Sequence, residues 1–304
     1  MTRSYVPLLL VVAGIWGSSF MFIKVAVDEI EPIPLMAGRL ALAAIVLLLL
    51  LLVQRGWRSA FGHLRGAGAG LVLLGVANAA LPFTLIAWGE QHIDSSIAAI
   101  ANSPVPIFVA LLALKFRPSE RVRGLRLVGI ALGFAGVAVL AGFNPEGGWW
   151  AVAGTLAVAA AALCYAASNL YTQARLGAIE PLVIAAGSSI AGALVLLPLA
   201  LLQLPENLPS SQALGSVAAL GIVGTAIAYL FFYRMLAAYG ASRTALVTYL
   251  IPPIALVYGI ALLDEPLTAN AVAGLVLTLG GVALGSGLFG LTRGREVTPA
   301  TPHA

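Results

Sequence analysis

Residues 83–114 read FTLIAWGEQHIDSSIAAIANSPVPIFVALLAL. Two apolar runs flank a polar hinge, and an asparagine, a serine and two prolines interrupt the second run. The same order returns at 228–262 as AYLFFYRMLAAYGASRTALVTYLIPPIALVYGIAL. With a constant shift of 148, Pro104 falls on Pro252 and Ser95–Ser96 falls on Arg243–Thr244. After a short gap the match resumes. Glu120 stands nine residues before Gly129, Glu265 stands nine before Gly274, and GVAVL (136–140) answers GVALG (281–285). The shared order makes this an internal repeat.

Outward from this pair the chain stays apolar. Hydrophobic residues fill 61% of 304 positions and charged residues 9%, against roughly 25% charged in a soluble domain. Mean hydropathy is +1.01. A spanning helix needs about 20 mostly apolar residues. Such runs occur at Val6–Ala26, Pro34–Val53, Gly66–Trp88, Ser95–Leu114 and Leu125–Phe143, then at Trp149–Tyr171, Leu182–Leu202, Ala213–Leu236, Ser242–Leu263 and Ala269–Leu291. The fold expected is an all-α membrane protein with ten transmembrane helices joined by short loops. The repeats are residues 1–143 and 144–291, and 292–304 form a polar, disordered cytoplasmic tail.

Fourteen of sixteen Lys and Arg fall on one side of this topology, Lys24 and Arg39 being the exceptions, and nine of twelve acids fall on the other. The positive-inside rule puts both termini in the cytoplasm. The basic run 115–126 then reads as a topology determinant, and no nucleic-acid partner is expected. Arg3 precedes an uncleaved first span, since no convincing cleavage site follows it. Five helices per repeat is an odd number, so the second copy must run inverted, an architecture of transporters with a site near the midplane. The lone Cys164 precludes an internal disulfide. His63, His92 and His303 show no metal spacing, and no phosphate-binding loop or acid–base cluster appears. No cofactor and no enzymatic activity are expected.

Prolines inside helices lack an N–H and free the carbonyl four residues earlier. Pro104 should free Ile100, Pro106 Asn102, Pro252 Thr248 and Pro253 Tyr249. Such backbone is tolerated in a membrane only against protein or a wet cavity. Two symmetric breaks are therefore expected to border a pathway, with a packed kink without substrate contact as the alternative. The candidate substrate-binding residues are Trp16, Ser19, Asn78, Asn102, Pro104, Tyr165, Asn169, Tyr229, Tyr233, Thr248, Tyr249 and Pro252. Each alone is also explained by an interhelical hydrogen bond; together they describe a neutral, partly aromatic lining without midplane charge. Lys24 and Arg39 are expected near the outer surface, snorkelling or pairing with Asp28, Glu29 or Glu31, or forming an outer gate. Glu120 and Glu265 read as caps of the helices that follow them. Gly66-x-x-x-Gly70, Gly129-x-x-x-Gly133 and Gly281-x-x-x-Gly285 read as close-packing faces, and Trp149 and Trp150 as interface anchors. The acids lie near helix ends, which predicts facilitative rather than proton-driven transport.

WGSSFMFIK (16–24), GRLALAA (38–44), SSIAAIANSPVPIF (95–108), ER (120–121), ASRTALVTYLIPPIALV (241–257) and DEP (264–266) resemble the drug/metabolite transporter superfamily, EamA type. The likeness covers nearly the whole chain and extends to bacterial inner-membrane exporters of amino acids, aromatic ones included. It implies alternating access through a central cavity between inverted halves. The second half departs from it where LCYAASNLYTQ replaces WGSSFMFIK, so that Gln173 matches Lys24. The expected function is therefore export of small amphipathic metabolites. Drug efflux is the alternative within the class, and a channel the alternative outside it. The expected partners are a small-molecule substrate and the lipid bilayer, and the sequence is compatible with a monomer.

Overall fold

The computed structural model describes residues 5–116, 125–141, 148–244 and 247–285. Arg3, residues 117–124 of the basic run with Glu120, the boundary at 143–144 and the expected tail lie outside them. Every regular element described is helical. The first half contains α1 (Tyr5–Val27), α2 (Pro32–Arg55), α3 (Trp57–Gly66), α4 (Gly68–Gly75), α5 (Leu81–Glu90), α6 (Ser95–Ala101), α7 (Val105–Phe116) and α8 (Leu125–Ala141). The second contains α9 (Gly148–Arg175), α10 (Pro181–Ala200), α11 (Ser211–Gly221), α12 (Ala228–Thr244), α13 (Val247–Leu263) and α14 (Ala269–Gly285).

Among the described residues, seven helical segments are long and apolar enough to cross a membrane: Tyr5–Val27, Pro32–Arg55, Gly68–Glu90, Ser95–Leu112, Gly148–Arg175, Pro181–Ala200 and Ser211–Tyr239. Three shorter apolar helices, Leu127–Leu140, Val247–Leu263 and Ala269–Leu284, accompany them. This is a multi-pass, all-α membrane protein. The loop expected after α2 is largely helix: Gly56, at φ 72°, ends α2 and α3 begins at once. Trp57 on α3 is 67% exposed and packs its ring 4.4 Å from Phe61.

Long-range packing is symmetric. α1 packs on α13 and on the span Ser211–Tyr239, while α9 packs on α7 and on the span Gly68–Glu90. α2 lies against α11, and α10 against α4; α2 meets α10, and α8 meets α14. Shifting one half onto the other exchanges these pairs. The α8–α14 seam is the tightest, since a Cβ on Gly281 would sit 2.6 Å from the Gly129 carbonyl oxygen. Gly66 differs from that expectation, with open space where its Cβ would be, whereas one on Gly70 would meet Leu176 at 2.9 Å.

Each half also contains a π-helical segment, Val76–Ala80 between α4 and α5 and Ile222–Ile227 between α11 and α12. The repeat shift brings the two into overlap. In the first, Pro82 has no N–H for the carbonyl of Asn78, and the Tyr229 hydroxyl donates to that oxygen instead, at 3.4 Å. In the second, Thr225 Oγ1 donates to Leu220 O, five residues back, at 2.9 Å. Wide turns thus leave backbone carbonyls to side-chain donors, from the other half at Asn78 and from its own segment at Leu220.

The proline positions differ from the expected symmetry. Residues 102–104 form a turn between α6 and α7, whereas α13 runs unbroken through Pro252 and Pro253. Ser103 supplies the reason. Its N–H (3.0 Å) and Oγ (2.6 Å) both donate to Ile100 O, the carbonyl that Pro104 leaves without its helical partner. That oxygen is satisfied locally and is no part of a pathway wall. Ile251 occupies the equivalent place in α13 and has no hydroxyl with which to compete for backbone.

Glu265 corrects a second expectation. It caps α6 of the other half, not the helix after it: its carboxylate accepts from the backbone N–H groups of Ser95 (2.7 Å) and Ser96 (3.1 Å). Asp264, at φ 53°, turns the chain, and the Glu265 N–H donates to Gly259 O at 3.1 Å. Aspartate tolerates this left-handed conformation better than most residues. Gly259 leaves the necessary room, because a Cβ there would meet the Glu265 carboxylate.

Candidate functional site

Between the halves lies a cavity of roughly 750 Å³ of unfilled space, its mouth included. Its walls come from α1, α2, the first π segment, α5, the α6–α7 turn, the start of α7, α9, α12 and α13. Trp16, Ser19, Asn78, Asn102, Tyr165, Asn169, Tyr229 and Thr248, all expected at the site, line it. Four expected residues do not. Pro104 and Pro252 sit beside the lining residues Val105 and Ile251, and Tyr233 stands behind Asn78, whose amide donates to its hydroxyl at 3.4 Å. Tyr249 points elsewhere, its hydroxyl donating to Val282 O at 2.7 Å on α14.

The lining is fixed by a few hydrogen bonds. Trp16 Nε1 donates to Gly224 O at 3.1 Å, and its ring lies 5.0 Å from Phe232. Asn78 Nδ2 donates to the Tyr229 hydroxyl at 3.2 Å. Both bonds join the halves through a π segment. Asn102 is 8% exposed, and its Oδ1 has no hydrogen-bond donor among the described residues.

The residue that sequence reasoning misplaced is Arg39. Instead of facing the outer surface it is 3% exposed and lines the cavity. Nε donates to Thr225 Oγ1 at 2.8 Å and Nη2 to Gly224 O at 3.4 Å, while Cζ lies 3.8 Å from the Phe83 ring centroid. The lining therefore carries a positive charge, contrary to the neutral wall expected. Arginine suits such a place because its planar, weakly hydrated head stacks on aromatic faces. Its position seven residues inside a 24-residue helix was the available sequence signal.

Lys24 also turns inward. Its Nζ donates to Glu90 O (2.8 Å) and Ile93 O (3.0 Å) at the end of α5, where a cation complements free carbonyls. The Glu90 side chain is fully buried, and neither carboxylate oxygen has a hydrogen-bond partner among the described residues. It stands outside the cavity lining. Glu29 accepts from Ser210 N–H and Oγ, both at 2.6 Å. These bonds, the side-chain one first, hold its carboxyl below the ordinary carboxylate range. Ser210 in turn accepts from Ala213 N–H at 3.1 Å and caps α11. Trp149 and Trp150 are 85% and 65% exposed, with Trp150 stacked on His92 at 5.4 Å.

The EamA-like transporter family model matches residues 3–142 and 152–287. An uncharacterized inner membrane transporter of Escherichia coli strain K12, YedA, is 30% identical over 298 residues, covering 95% of this chain and 90% of that one. A probable terminal-alkyne amino-acid exporter of Streptantibioticus cattleyicolor is 27% identical over 292 residues and 94% of each chain. A solved crystal structure superposes with a TM-score of 0.69 at 21% identity, covering 95% of this chain and 99% of the other. That last likeness concerns the fold alone.

Proposed function

This chain belongs to the EamA-like transporter family, a class of transporters and not of enzymes, and from that premise we propose that it exports small amphipathic metabolites through the cavity between its halves. Amino acids, aromatic ones included, are the leading cargo, and the inner membrane is the site, in keeping with the names of the relatives above. The carrying observation is that residues of both halves line one buried cavity whose walls are aromatic rings, amides and hydroxyls. That lining suits a solute with an apolar or aromatic body and a small polar head.

The transmembrane arrangement proposed is ten spans in two inverted five-helix repeats, 1–143 and 144–291, with both termini cytoplasmic. The exchange of contact pairs between halves and the division of the family match into two segments support it. Alternating access then follows if α1 and α13 part while α9 and α7 close, and the reverse, because a repeat gives each gate a mirror counterpart. Counterflow in proteoliposomes against a panel of labelled amino acids tests the reading. Exchange of bulky apolar and aromatic members is expected, and transport confined to a sugar phosphate would contradict it.

A further inference from the structure

Two groups in the cavity ask for different things. Arg39 has five N–H donors, of which two are used, on the neutral acceptors Thr225 Oγ1 and Gly224 O. Among the described residues the ion pair present, Arg55–Glu180, is elsewhere, and no lining residue of the cavity is acidic. Buried Glu90 acts on Arg39 only through space and stands outside the lining. A buried guanidinium with no carboxylate in contact is costly, and the remaining donors belong to a residue on the cavity wall. Arginine's planar fork matches a carboxylate with two parallel hydrogen bonds. The second group is Asn102, whose buried Oδ1 lacks a donor among the described residues. An amide oxygen accepts an N–H whether or not that nitrogen carries charge. An ammonium in this cavity meets aromatic faces and amide oxygens but no carboxylate.

Resting on the function proposed above, we propose that Arg39 binds the carboxylate of the cargo and that the charge on its amino group is dispensable, so N-acylated aromatic and large apolar amino acids are cargo alongside the free ones. Arg39 sets the requirement for an anion. Asn102 takes the neighbouring N–H, and Trp16, Phe83 and Phe232 receive the apolar body. Binding forms no covalent bond and moves no proton.

The test uses the full-length chain, purified for ligand-induced thermal shifts and reconstituted for uptake, with protein-free liposomes as the permeability control. The probes are phenylalanine, N-acetylphenylalanine, 3-phenylpropionate and phenylalaninamide. N-acetylphenylalanine should bind and be transported within threefold of phenylalanine, and phenylalaninamide at least tenfold more weakly. Arg39→Gln should lose at least tenfold on the carboxylates and nothing on the amide, with Arg39→Lys between. Asn102→Leu should weaken N-acetylphenylalanine and leave 3-phenylpropionate unchanged. Should Arg39→Gln fail to fold, the four probes on the unaltered protein decide alone. Equal handling of carboxylates and amide would overturn the inference and leave the exporter reading standing. Free phenylalanine accepted with N-acetylphenylalanine rejected would overturn the dispensable charge. Rejection of all four probes, with export confined to sugar phosphates, would remove the function on which the inference rests.

Discussion

The turn at residues 102–104 and the continuous helix through Pro252–Pro253 hold the same place in the two halves, yet one bends and the other does not. Both lose helical hydrogen bonds to proline. Only the first has a serine whose N–H and hydroxyl replace what is lost. Charge is divided in the same way. Under the repeat shift Arg39 falls on Gly187, Glu90 on Ala238, and Lys24 on the neutral pair Thr172–Gln173. The repeat thus fixes where helices run, while local side chains decide what each half offers the cavity. The first half supplies charge and a bend; the second supplies a neutral, straight wall and the carbonyl that holds Arg39.

The largest effect expected concerns what the halves share. At the α8–α14 seam backbone meets backbone, so Gly281→Leu should cost about 3 kcal/mol or more through overpacking. Gly66→Ala, in open space, should stay within about 0.5 kcal/mol. Thermal unfolding in detergent separates the two, and equal effects would break the distinction between packed and open glycines.

The next concerns the link between halves. Glu265→Gln replaces a buried carboxylate that accepts two N–H groups of α6. A loss of about 1–3 kcal/mol is expected from weakening charge-assisted bonds. An unchanged melting temperature would show that the cap adds nothing.

The bend itself comes third. Pro104→Ala should let α6 and α7 join and shift Asn102, lowering phenylalanine counterflow by about tenfold, the equivalent of one hydrogen bond. Pro252→Ala, inside an existing helix, should change it by less than about twofold. Similar losses at both positions would mean that the halves work symmetrically after all.

Much of this was legible beforehand. Long apolar runs forced membrane helices, and the matched order around Pro104 and Pro252 gave the repeat. Eight of the twelve candidates reach the cavity because polar side chains in apolar helices have few other places to be satisfied. Arg39 was misread because a charge seven residues into a helix looks like a snorkelling group. Its partners, Thr225 and Gly224, lie 185 or more residues away. The π segments leave no periodicity signal, and Tyr249 misled because one face of a helix in this fold meets α14 as readily as the cavity. Glu265 was taken as a local cap, since a sequence cannot show which helix start comes within reach.

The smallest effect expected is at Glu29, an asymmetric contact whose repeat position is Gly177. Its carboxyl lies below the ordinary value in the folded chain because it accepts from Ser210. Its contribution to stability is therefore present above the ordinary carboxylate range and lost as pH falls through the lowered value. The melting temperature of the unaltered protein should drop slightly more on acidification than that of Glu29→Gln. Parallel pH curves would remove the contact from the account.

The central claim is that both halves line one solute pathway, and site-directed thiol labelling tests it most directly. In a Cys164→Ala background, Asn102→Cys from the first half and Thr248→Cys from the second should react with small aqueous thiol reagents. Phenylalanine should slow both reactions, while Tyr249→Cys, directed toward α14, should be neither labelled nor protected. Silence at both Asn102→Cys and Thr248→Cys in every state, or labelling of Tyr249→Cys with the same protection, would contradict it.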